Sequence, residues 1–284
     1  MSRRTPFALV AALVAALFAV ALAGLPGAAA DPRLGQISIV YDIDIAGAPV
    51  AELTLDIQVN ESSYSIAGRG GTVGLVDLIS RIRFSGNSSG VIDDHAVRPR
   101  AHSYSFTERG KTRDVSLTYD EAMMPAVVVR PEFTPSYERV PLPVEKMAGT
   151  IDLASQFLTP AAPGLGLLAP GQCARQFAVF DGRLRVDASV RHVKSAPSAS
   201  LRGVNYKGPL MHCAMTIRPI GGHKEGDMLS KVAEKGEIDV WVAPALGGKV
   251  YIPVRVRIPT PVGTAELASR VMRVTPVAQA GLGG

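Results

Sequence analysis

Apolar and polar residues alternate along most of the chain that follows residue 31. Between Ile37 and Ile45 every second residue is isoleucine or tyrosine, while the intervening positions include Ser38 and two aspartates. A second alternating run extends from Leu53 to Val59, and Gly47 lies between the two runs. Because successive side chains of a strand point to opposite faces, this spacing predicts an antiparallel hairpin with one apolar face.

Later segments repeat this pattern and contain hairpin turn signals. Glycine adopts the positive φ of a tight turn at little cost, so Asp181-Gly182 and Gly247-Gly248 each predict a hairpin. The strands that these turns would join are 176–180 with 183–190, and 239–242 with 249–258. Alternation also occupies 115–119 and 254–258. Strands with one polar face are typical of antiparallel sheets.

Few helices are predicted. Six prolines between residues 99 and 143 exclude long helices from the middle of the chain. Thr150 is predicted to cap a helix over 151–158, and Asp227 is predicted to cap a helix from Met228 to Lys235. The segment 73–79 fits either a helix or a strand.

These elements predict an all-β fold with a few short helices, built as a strongly curved antiparallel sheet or an incomplete barrel. The helices are expected against the concave side. The Pro/Gly-rich stretch 160–171 fits either a domain linker or a long loop. The loop is favoured because neither half has helices to cover a free sheet face. We therefore expect one domain over 31–275 and a flexible tail over 276–284.

The first 30 residues have the organisation of a secretory signal peptide. Arg3 and Arg4 precede an apolar stretch over 7–23, and small residues then favour cleavage between Ala30 and Asp31. An uncleaved anchor is less favoured because glycine and proline end the apolar stretch. Twin-arginine export fits less well than ordinary secretion. No later apolar run approaches the length of a membrane span, so a periplasmic mature chain without a transmembrane segment is expected.

Two cysteines, Cys173 and Cys213, are the only thiols in the chain. Export would place them in an oxidising compartment, where a cysteine pair usually forms a disulfide. A redox-active pair would need Cys-x-x-Cys spacing, and a metal site would need more ligands than the neighbouring His212. The sequence therefore predicts a structural disulfide.

Net charge limits the class of partner. The chain has 30 basic and 25 acidic residues, and loss of Arg3 and Arg4 with the signal would lower its net charge from +5 to +3. This excess is too small to indicate a nucleic-acid partner. Outward-facing arginines on two predicted strands could contact lipid head groups or anionic glycans, although charge on one strand face is usually only solvated. These residues are Arg183, Arg185, Arg255 and Arg257.

Two glycine motifs match the sequences of known functional motifs, but the predicted strands and helices around them do not fit those functions. Residues 86–90 read G-x-S-x-G around Ser88, but no helix has room to follow, as a nucleophile elbow requires, so a turn is predicted. Residues 164–169 read G-x-G-x-x-A. A proline on each side argues against the strand and helix of a dinucleotide site, so a loop is predicted. No cofactor is expected.

The spacing of histidines and carboxylates predicts neither a catalytic nor a metal site. Asp93, Asp94 and His95 are adjacent and would point to alternate faces of an extended chain, which favours a solvated turn. None of the histidines shows the helical i, i+4 spacing of a zinc hydrolase. They are His95, His102, His192, His212 and His223. Trp241, the single tryptophan, is interpreted as a packing residue rather than a sugar-stacking surface.

Several short stretches follow one another in a distinctive order. They are Ala46-Gly47 with Glu52, Tyr64 before Gly74-Leu75, Arg98-Pro99, Lys111-Thr112-Arg113 leading to Tyr119-Asp120, Asp152-Leu153-Ala154-Ser155, Phe180-Asp181-Gly182-Arg183 between the cysteines, Pro253-Val254, Pro259-Thr260-Pro261 and Gly263-Thr264. In this order they resemble the exported bacterial family filed as domain of unknown function 3108, over nearly the whole mature chain. The resemblance implies an envelope protein with a curved antiparallel sheet. It implies no catalytic residues.

Three functional hypotheses follow. The first is a non-enzymatic periplasmic binding or structural module that holds a lipid, a glycan or an envelope protein in the concavity of the sheet. The second is a hydrolase of envelope polymers, whose carboxylates converge in space from Asp42, Asp44, Asp152 or Asp181. The third is an assembly factor that offers a free edge strand to a partner.

Overall fold

The alternating runs of the sequence form long strands. The computed structural model describes residues 33–133 and 137–276. The predicted signal peptide with its cleavage site at Ala30 and Asp31, and the tail from residue 277 onward, lie outside the described residues. The strands are β1 (Arg33–Ile45), β2 (Ala48–Asn60), β3 (Ser63–Thr72), β4 (Ile82–Ile92), β5 (Val97–Glu108), β6 (Lys111–Tyr119), β7 (Pro125–Arg130), β8 (Thr159–Pro160), β9 (Arg175–Phe180), β10 (Arg185–Ser200), β11 (Lys207–Gly221), β12 (Ile238–Ala245), β13 (Val250–Thr260) and β14 (Gly263–Pro276).

All of these strands belong to one antiparallel sheet. Each strand from β2 to β7 pairs with the strand that precedes it along the chain, and the same holds for each strand from β10 to β14. β14 returns beside β1 and joins the two halves, while the short β8 pairs with β13. Strands from both sides of the stretch 160–171 therefore share one sheet. β7 and β9 are its two end strands and do not pair with each other.

Curvature brings the two ends of the sheet into contact. The Tyr104 hydroxyl of β5 donates a hydrogen bond to the carbonyl oxygen of Asp181, in the turn after β9, at 2.9 Å. A Cβ added to Gly182 would lie 2.7 Å from Cγ1 of Val115 in β6. Phe180 is fully buried in the same apolar cluster. The predicted fold class is thus confirmed: a mostly antiparallel sheet with few helices curls back on itself without closing.

Residues 149–174, which precede β9 and include the short β8, form a mostly irregular interior segment on the concave side of the sheet. Leu158 of this segment is 1 % exposed and packs in the main apolar cluster with inward-facing residues of β1 and β2. Ile151 forms a parallel bridge to Val179 of β9. On the concave side, where short helices were expected, this segment fills the space and contains two single 3₁₀ turns, at Ser155–Phe157 and Pro170–Gln172.

The helix predicted over 151–158 does not form. Only Ser155–Phe157 makes a single 3₁₀ turn. The Thr150 hydroxyl, expected to cap the helix, donates to the carbonyl oxygen of Met147 at 2.8 Å. The Asp152 carboxylate accepts two backbone N–H groups, at 2.8 and 3.0 Å, and so fixes a tight turn where a helix would continue.

In residues 33–133 and 137–276, two short α-helices connect strands. α1 (Gly74–Ile79) resolves the ambiguous segment 73–79 as a helix. α2 (Met228–Lys235) matches its prediction: the Asp227 carboxylate accepts a hydrogen bond from the backbone N–H of Ser230 at 3.0 Å. Within the described ranges, neither helix is long and apolar enough to cross a bilayer.

The turn predicted for residues 86–90 is also wrong, because this segment lies inside β4. A Cβ added to Gly86 would lie 2.7 Å from the carbonyl oxygen of Ser103, and one added to Gly90 would lie closer still to the carbonyl oxygen of Arg98. The neighbouring β5 thus passes too close for larger residues. Neither glycine has a positive φ, so neither supplies a turn.

Candidate ligand cavities

The interior segment borders two apolar cavities on the concave side of the sheet. The C-terminal cavity has a volume of about 260 Å³ and is bounded by β9 to β14; its lining includes Phe157, Met215, Val240, Val242, Tyr251 and Val256. The N-terminal cavity has a volume of about 380 Å³ and is bounded by β1 to β5; its lining includes Leu53, Leu55, Gly68, Phe84, Leu153 and Phe157. Concave, mostly apolar cavities with few polar groups are the usual form of small-molecule sites.

A third, more polar pocket adjoins the C-terminal cavity. Its volume is about 370 Å³, and its lining includes Asp94, His95 and Arg98 from the β4–β5 connection and its flank. The residues that line both the polar pocket and the C-terminal cavity are Gln156, Thr159, Gln172, Arg175 and Phe177. This arrangement places a polar space beside an apolar one, which suits an amphiphilic molecule.

Among the described residues that line the C-terminal cavity, only Arg175 is charged. Its guanidinium donates a hydrogen bond to Oγ1 of Thr159 and lies 5.1 Å above the ring of Phe177. Burial lowers its pKa to about 10, so the group remains cationic at neutral pH. In the part of the chain that the structure describes, no carboxylate lies within ion-pair distance of it. A cation in this position can receive an anionic ligand group.

The alternation of β9 already contained a signal for Arg175, a residue not predicted above to take part in a site. Arg175 and Phe177 occupy alternate positions of β9 and both line the C-terminal cavity. Residues two positions apart in a strand point to the same face of the sheet, so Arg175 places a charge on the inner face that Phe177 also occupies. The sequence alone does not show which face of β9 points inward; the neighbouring strands of the sheet determine it.

A buried polar network surrounds Asp152 in the interior segment. Oδ2 of its carboxylate accepts hydrogen bonds from the hydroxyls of Ser88 and Ser155, both at 2.7 Å. The Tyr64 hydroxyl lies 2.7 Å from Oγ of Ser155. Asp152 and Ser155 are fully buried, and Ser88 is nearly so. The network links the interior segment to β3 and β4.

His102 of β5 completes this network. Its Nδ1 lies 3.3 Å from Oδ1 of Asp152 and 2.8 Å from the carbonyl oxygen of Asn87. Because a carbonyl oxygen only accepts hydrogen bonds, Nδ1 carries the proton. Burial and the nearby Asp152 carboxylate raise the pKa of Tyr64 to about 12, which keeps its phenol a neutral donor.

This arrangement does not match a serine nucleophile, although Ser88, His102 and Asp152 are the residue types of a catalytic triad. Ser88 donates to the aspartate rather than to the histidine, and Nδ1 of His102 is directed to a backbone carbonyl. A serine nucleophile needs a base that accepts its proton and an exposed position for substrate. The contacts instead anchor the interior segment to the sheet.

The other carboxylates considered for a hydrolase lie in separate environments. Asp42 is exposed and pairs with Arg270 at 2.9 Å. Asp44 lies opposite Glu266 in the sheet. Asp181 accepts two backbone N–H groups in its hairpin turn, and burial raises its pKa. Their described contacts join none of them to Asp152.

Cys173 and Cys213 lie at disulfide distance, with Cα atoms 6.2 Å apart. Both residues are buried, and both line the C-terminal cavity. A disulfide between them would tie Cys173, at the end of the interior segment, to Cys213 of β11. The spacing is compatible with the pairing predicted from the sequence.

The acidic turn at Asp93 and the glycine motif at 164–169 have structural roles. Asp93 accepts hydrogen bonds from the N–H groups of His95 and Ala96 in the β4–β5 turn. Within the described residues, no group of three histidine, cysteine or acidic side chains is arranged to hold a metal ion. Residues 164–169 form a loop, as predicted, and the carbonyl oxygen of Leu167 accepts a hydrogen bond from the Tyr251 hydroxyl at 2.7 Å.

The outward-facing arginines and Trp241 contact other parts of the protein. Arg185 pairs with Asp187, and both Arg255 and Arg257 pair with Glu266. Arg183 lies 4.5 Å above the ring of Phe133. The Trp241 ring stacks on His212 at 4.5 Å. These contacts account for the arginines and the tryptophan without a glycan or a lipid.

β7 and β9 differ at the ends of the sheet. Among the described residues, the outer side of β7 has no strand partner, whereas Ile151 bridges to Val179 on β9. A free edge strand is the feature expected of an assembly factor, but nothing at β7 specifies a partner.

Comparisons with known proteins identify the family. The family model described as "Protein of unknown function (DUF3108)" matches residues 40–268. A search of the curated proteins finds no match. Among solved structures, the chain is similar to a beta-barrel-like protein of domain of unknown function DUF1849 from Brucella abortus. The two share 8 % identity and a TM-score of 0.45, over 85 % of this chain and 98 % of that one. Because the family model covers most of the sequence, this chain belongs to the DUF3108 family.

Proposed function

We propose that the protein is a non-enzymatic binding module of the cell envelope. It holds a single-chain amphiphile that has an anionic head group, such as a fatty acid. The acyl chain occupies the C-terminal cavity, and the head group lies in the polar pocket beside Arg175. The observation that carries this proposal is the position of Arg175. It is a cation without a carboxylate partner among the residues that the structure describes, and it lies where a polar pocket meets an apolar cavity.

The energetics of burial support an anionic ligand. An arginine withdrawn from water loses favourable hydration, and a carboxylate partner normally offsets this cost. Among the described residues, the guanidinium of Arg175 contacts the neutral Thr159 and Phe177 and forms no ion pair with a carboxylate. A ligand carboxylate would supply a charge-assisted hydrogen bond worth about 1.5–3 kcal/mol. Apolar contacts along an acyl chain would add about 0.8 kcal/mol for each buried methylene.

A hydrolase has less support from the same contacts. Its catalytic carboxylates would lie on either side of a substrate cleft, roughly 5 to 10 Å apart. Asp152 is instead fully buried and accepts hydrogen bonds from four neighbouring donors. Asp42 is paired with Arg270 on the surface. A binding role requires no such pair, and the apolar cavities suit it directly.

Fatty-acid titration tests the proposal. The delipidated protein should bind a fluorescent fatty acid, and Arg175→Gln should weaken the affinity by about tenfold to a hundredfold through loss of the charge-assisted hydrogen bond. Arg175→Lys should retain part of the affinity because it keeps the charge. Val242→Trp should prevent binding by filling the C-terminal cavity.

A matched arginine variant controls for general changes in charge. Arg202 is exposed and lines neither the C-terminal cavity nor the polar pocket, so Arg202→Gln should bind like the unmodified protein. Circular dichroism would show whether each variant retains its sheet. The proposal is wrong if the folded Arg175→Gln and Val242→Trp variants bind the fatty acid as tightly as the unmodified protein.

Export to the periplasm forms part of the proposal. The order of a basic start, an apolar stretch and small residues before Asp31 supports it, as does the cysteine pair at disulfide distance. In cells that express the full sequence, the protein released by osmotic shock should begin at Asp31. Mass spectrometry of the intact protein measures this directly, and a chain that stays in the cytosol with residues 1–30 attached would contradict it.

A further inference from the structure

We propose that α1 docks the protein on the surface of a bilayer that contains anionic phospholipid. Leu75, Leu78 and Ile79 of this helix are 78, 79 and 76 % exposed. No residue of the six-residue helix is buried. Large aliphatic side chains placed together in water are unfavourable unless they meet another apolar surface.

Basic side chains surround this apolar tip and identify the kind of surface. Arg81 follows the helix, and its carbonyl oxygen accepts a hydrogen bond from the N–H of Arg109 in the β5–β6 turn at 3.2 Å. Arg83 and Lys111 lie nearby on β4 and β6, and all four basic residues are exposed. Two acidic residues accompany them, Asp77 and Glu108. The tip therefore combines exposed aliphatic residues with a cationic rim, as interfacial membrane anchors do.

Hydrogen bonds hold the helix in this projecting position. Oδ1 of Asp77 accepts from the Thr72 hydroxyl at 2.8 Å and from the Arg83 guanidinium at 2.5 Å. These bonds lower the pKa of Asp77 to about 2, so its carboxylate remains charged at neutral pH. The backbone N–H of Ile82 donates to Oγ1 of Thr72 at 3.0 Å, which fixes the other end of the connection. The exposed apolar face is thus supported by β3 and β4.

The docking tip also lies beside the N-terminal cavity. Thr72 and Ile82, the strand residues on either side of the α1 connection, both line this cavity. A bilayer in contact with α1 would therefore lie close to the rim of an apolar space. This space is the N-terminal cavity, not the C-terminal cavity of the proposed ligand, so docking itself does not require ligand binding.

Vesicle flotation tests the proposal with the processed protein isolated from the periplasm. Vesicles of phosphatidylglycerol and phosphatidylethanolamine should carry the protein upward, and vesicles of phosphatidylcholine alone should carry at least about fivefold less. The variant Leu75→Ser/Leu78→Ser/Ile79→Ser should reduce flotation by about tenfold or more. The variant Arg81→Gln/Lys111→Gln should reduce it by about tenfold, as should high salt.

A matched triple variant controls for the loss of exposed apolar residues in general. Val128, Val144 and Val262 are 53, 65 and 63 % exposed and lie outside α1, so their combined replacement by serine should leave flotation unchanged. Arg175→Gln should also float normally, which separates docking from ligand binding. The proposal is overturned if the unmodified protein does not float, if the α1 variant floats equally well, or if α1 instead mediates capture of a protein partner without lipid.

Discussion

Asp152→Ala should lower the free energy of unfolding by about 4 kcal/mol. The substitution removes the acceptor for two serine hydroxyls and two backbone N–H groups, all in the interior. Those donors would remain buried without partners. Urea unfolding followed by circular dichroism measures the loss as a shift of the midpoint at constant slope.

Two control variants separate this network from general effects of the substitution. Ser88→Ala removes one donor of the network and should cost about 1 kcal/mol. Asp94→Ala removes an exposed carboxylate and should leave the midpoint within about 0.5 kcal/mol of its original value. If Asp152→Ala unfolds at the same urea concentration as Asp94→Ala, the interior segment does not depend on this network.

Loss of the Cys173–Cys213 link should lower the free energy of unfolding by about 2–5 kcal/mol. The residues are 40 positions apart, so a disulfide between them removes considerable chain entropy from the unfolded state. The variant Cys173→Ala/Cys213→Ala, unfolded in urea, measures this loss.

Reductant provides a second measurement of the same link. The unmodified protein should lose a similar amount of stability when dithiothreitol is added, whereas the double variant should not respond. Thiol titration of the denatured protein should detect no free thiol per chain before reduction and two afterwards. Two free thiols in the periplasmic protein before reduction would contradict the pairing.

Both cysteines also line the proposed ligand cavity, so a disulfide between them would position part of its wall. Cys173 follows the loop that contains Leu167, and Cys213 lies in β11. A disulfide there would act together with the Tyr251–Leu167 hydrogen bond to hold that loop against β11 and β13. A reduced protein should therefore bind the fluorescent fatty acid more weakly even where it remains folded.

The strands were predictable because their alternation is local. The Ile37–Ile45 run and the Leu53–Val59 run pair as β2 on β1, around the turn at Gly47. Asp181-Gly182 and Gly247-Gly248 lie between paired strands, as predicted. A period of two residues is set by the backbone geometry of each strand, so it can be read without knowledge of the neighbours.

The errors arose where a distant segment determined the local structure. Gly86 and Gly90 suggested a turn. They are glycines because the backbone of β5 passes so close to β4 that a side chain would not fit. Thr150 suggested a helix cap, but the Asp152 network and the bridge from Ile151 to β9 hold that segment in an irregular path. Tertiary contacts of this kind override local propensity.

The candidate site was less predictable than the sheet. Arg175 lies on β9. In the polar network, His102 of β5 meets Ser88 of β4 and Asp152 of the interior segment. The residues that meet in this site therefore come from parts of the sequence that are far apart. Their proximity follows from the register of the curved sheet, which the alternation of residues alone does not specify.

Mass spectrometry of the molecules that copurify with the periplasmic protein tests the central claim most directly. Native spectra should show the chain with one additional small mass, and denaturation should release an amphiphile that has an acyl chain and an anionic group. Protein carrying Val242→Trp should lack this molecule. An unmodified protein that never carries an amphiphile, and takes up none when incubated with the fatty acid, would contradict the account.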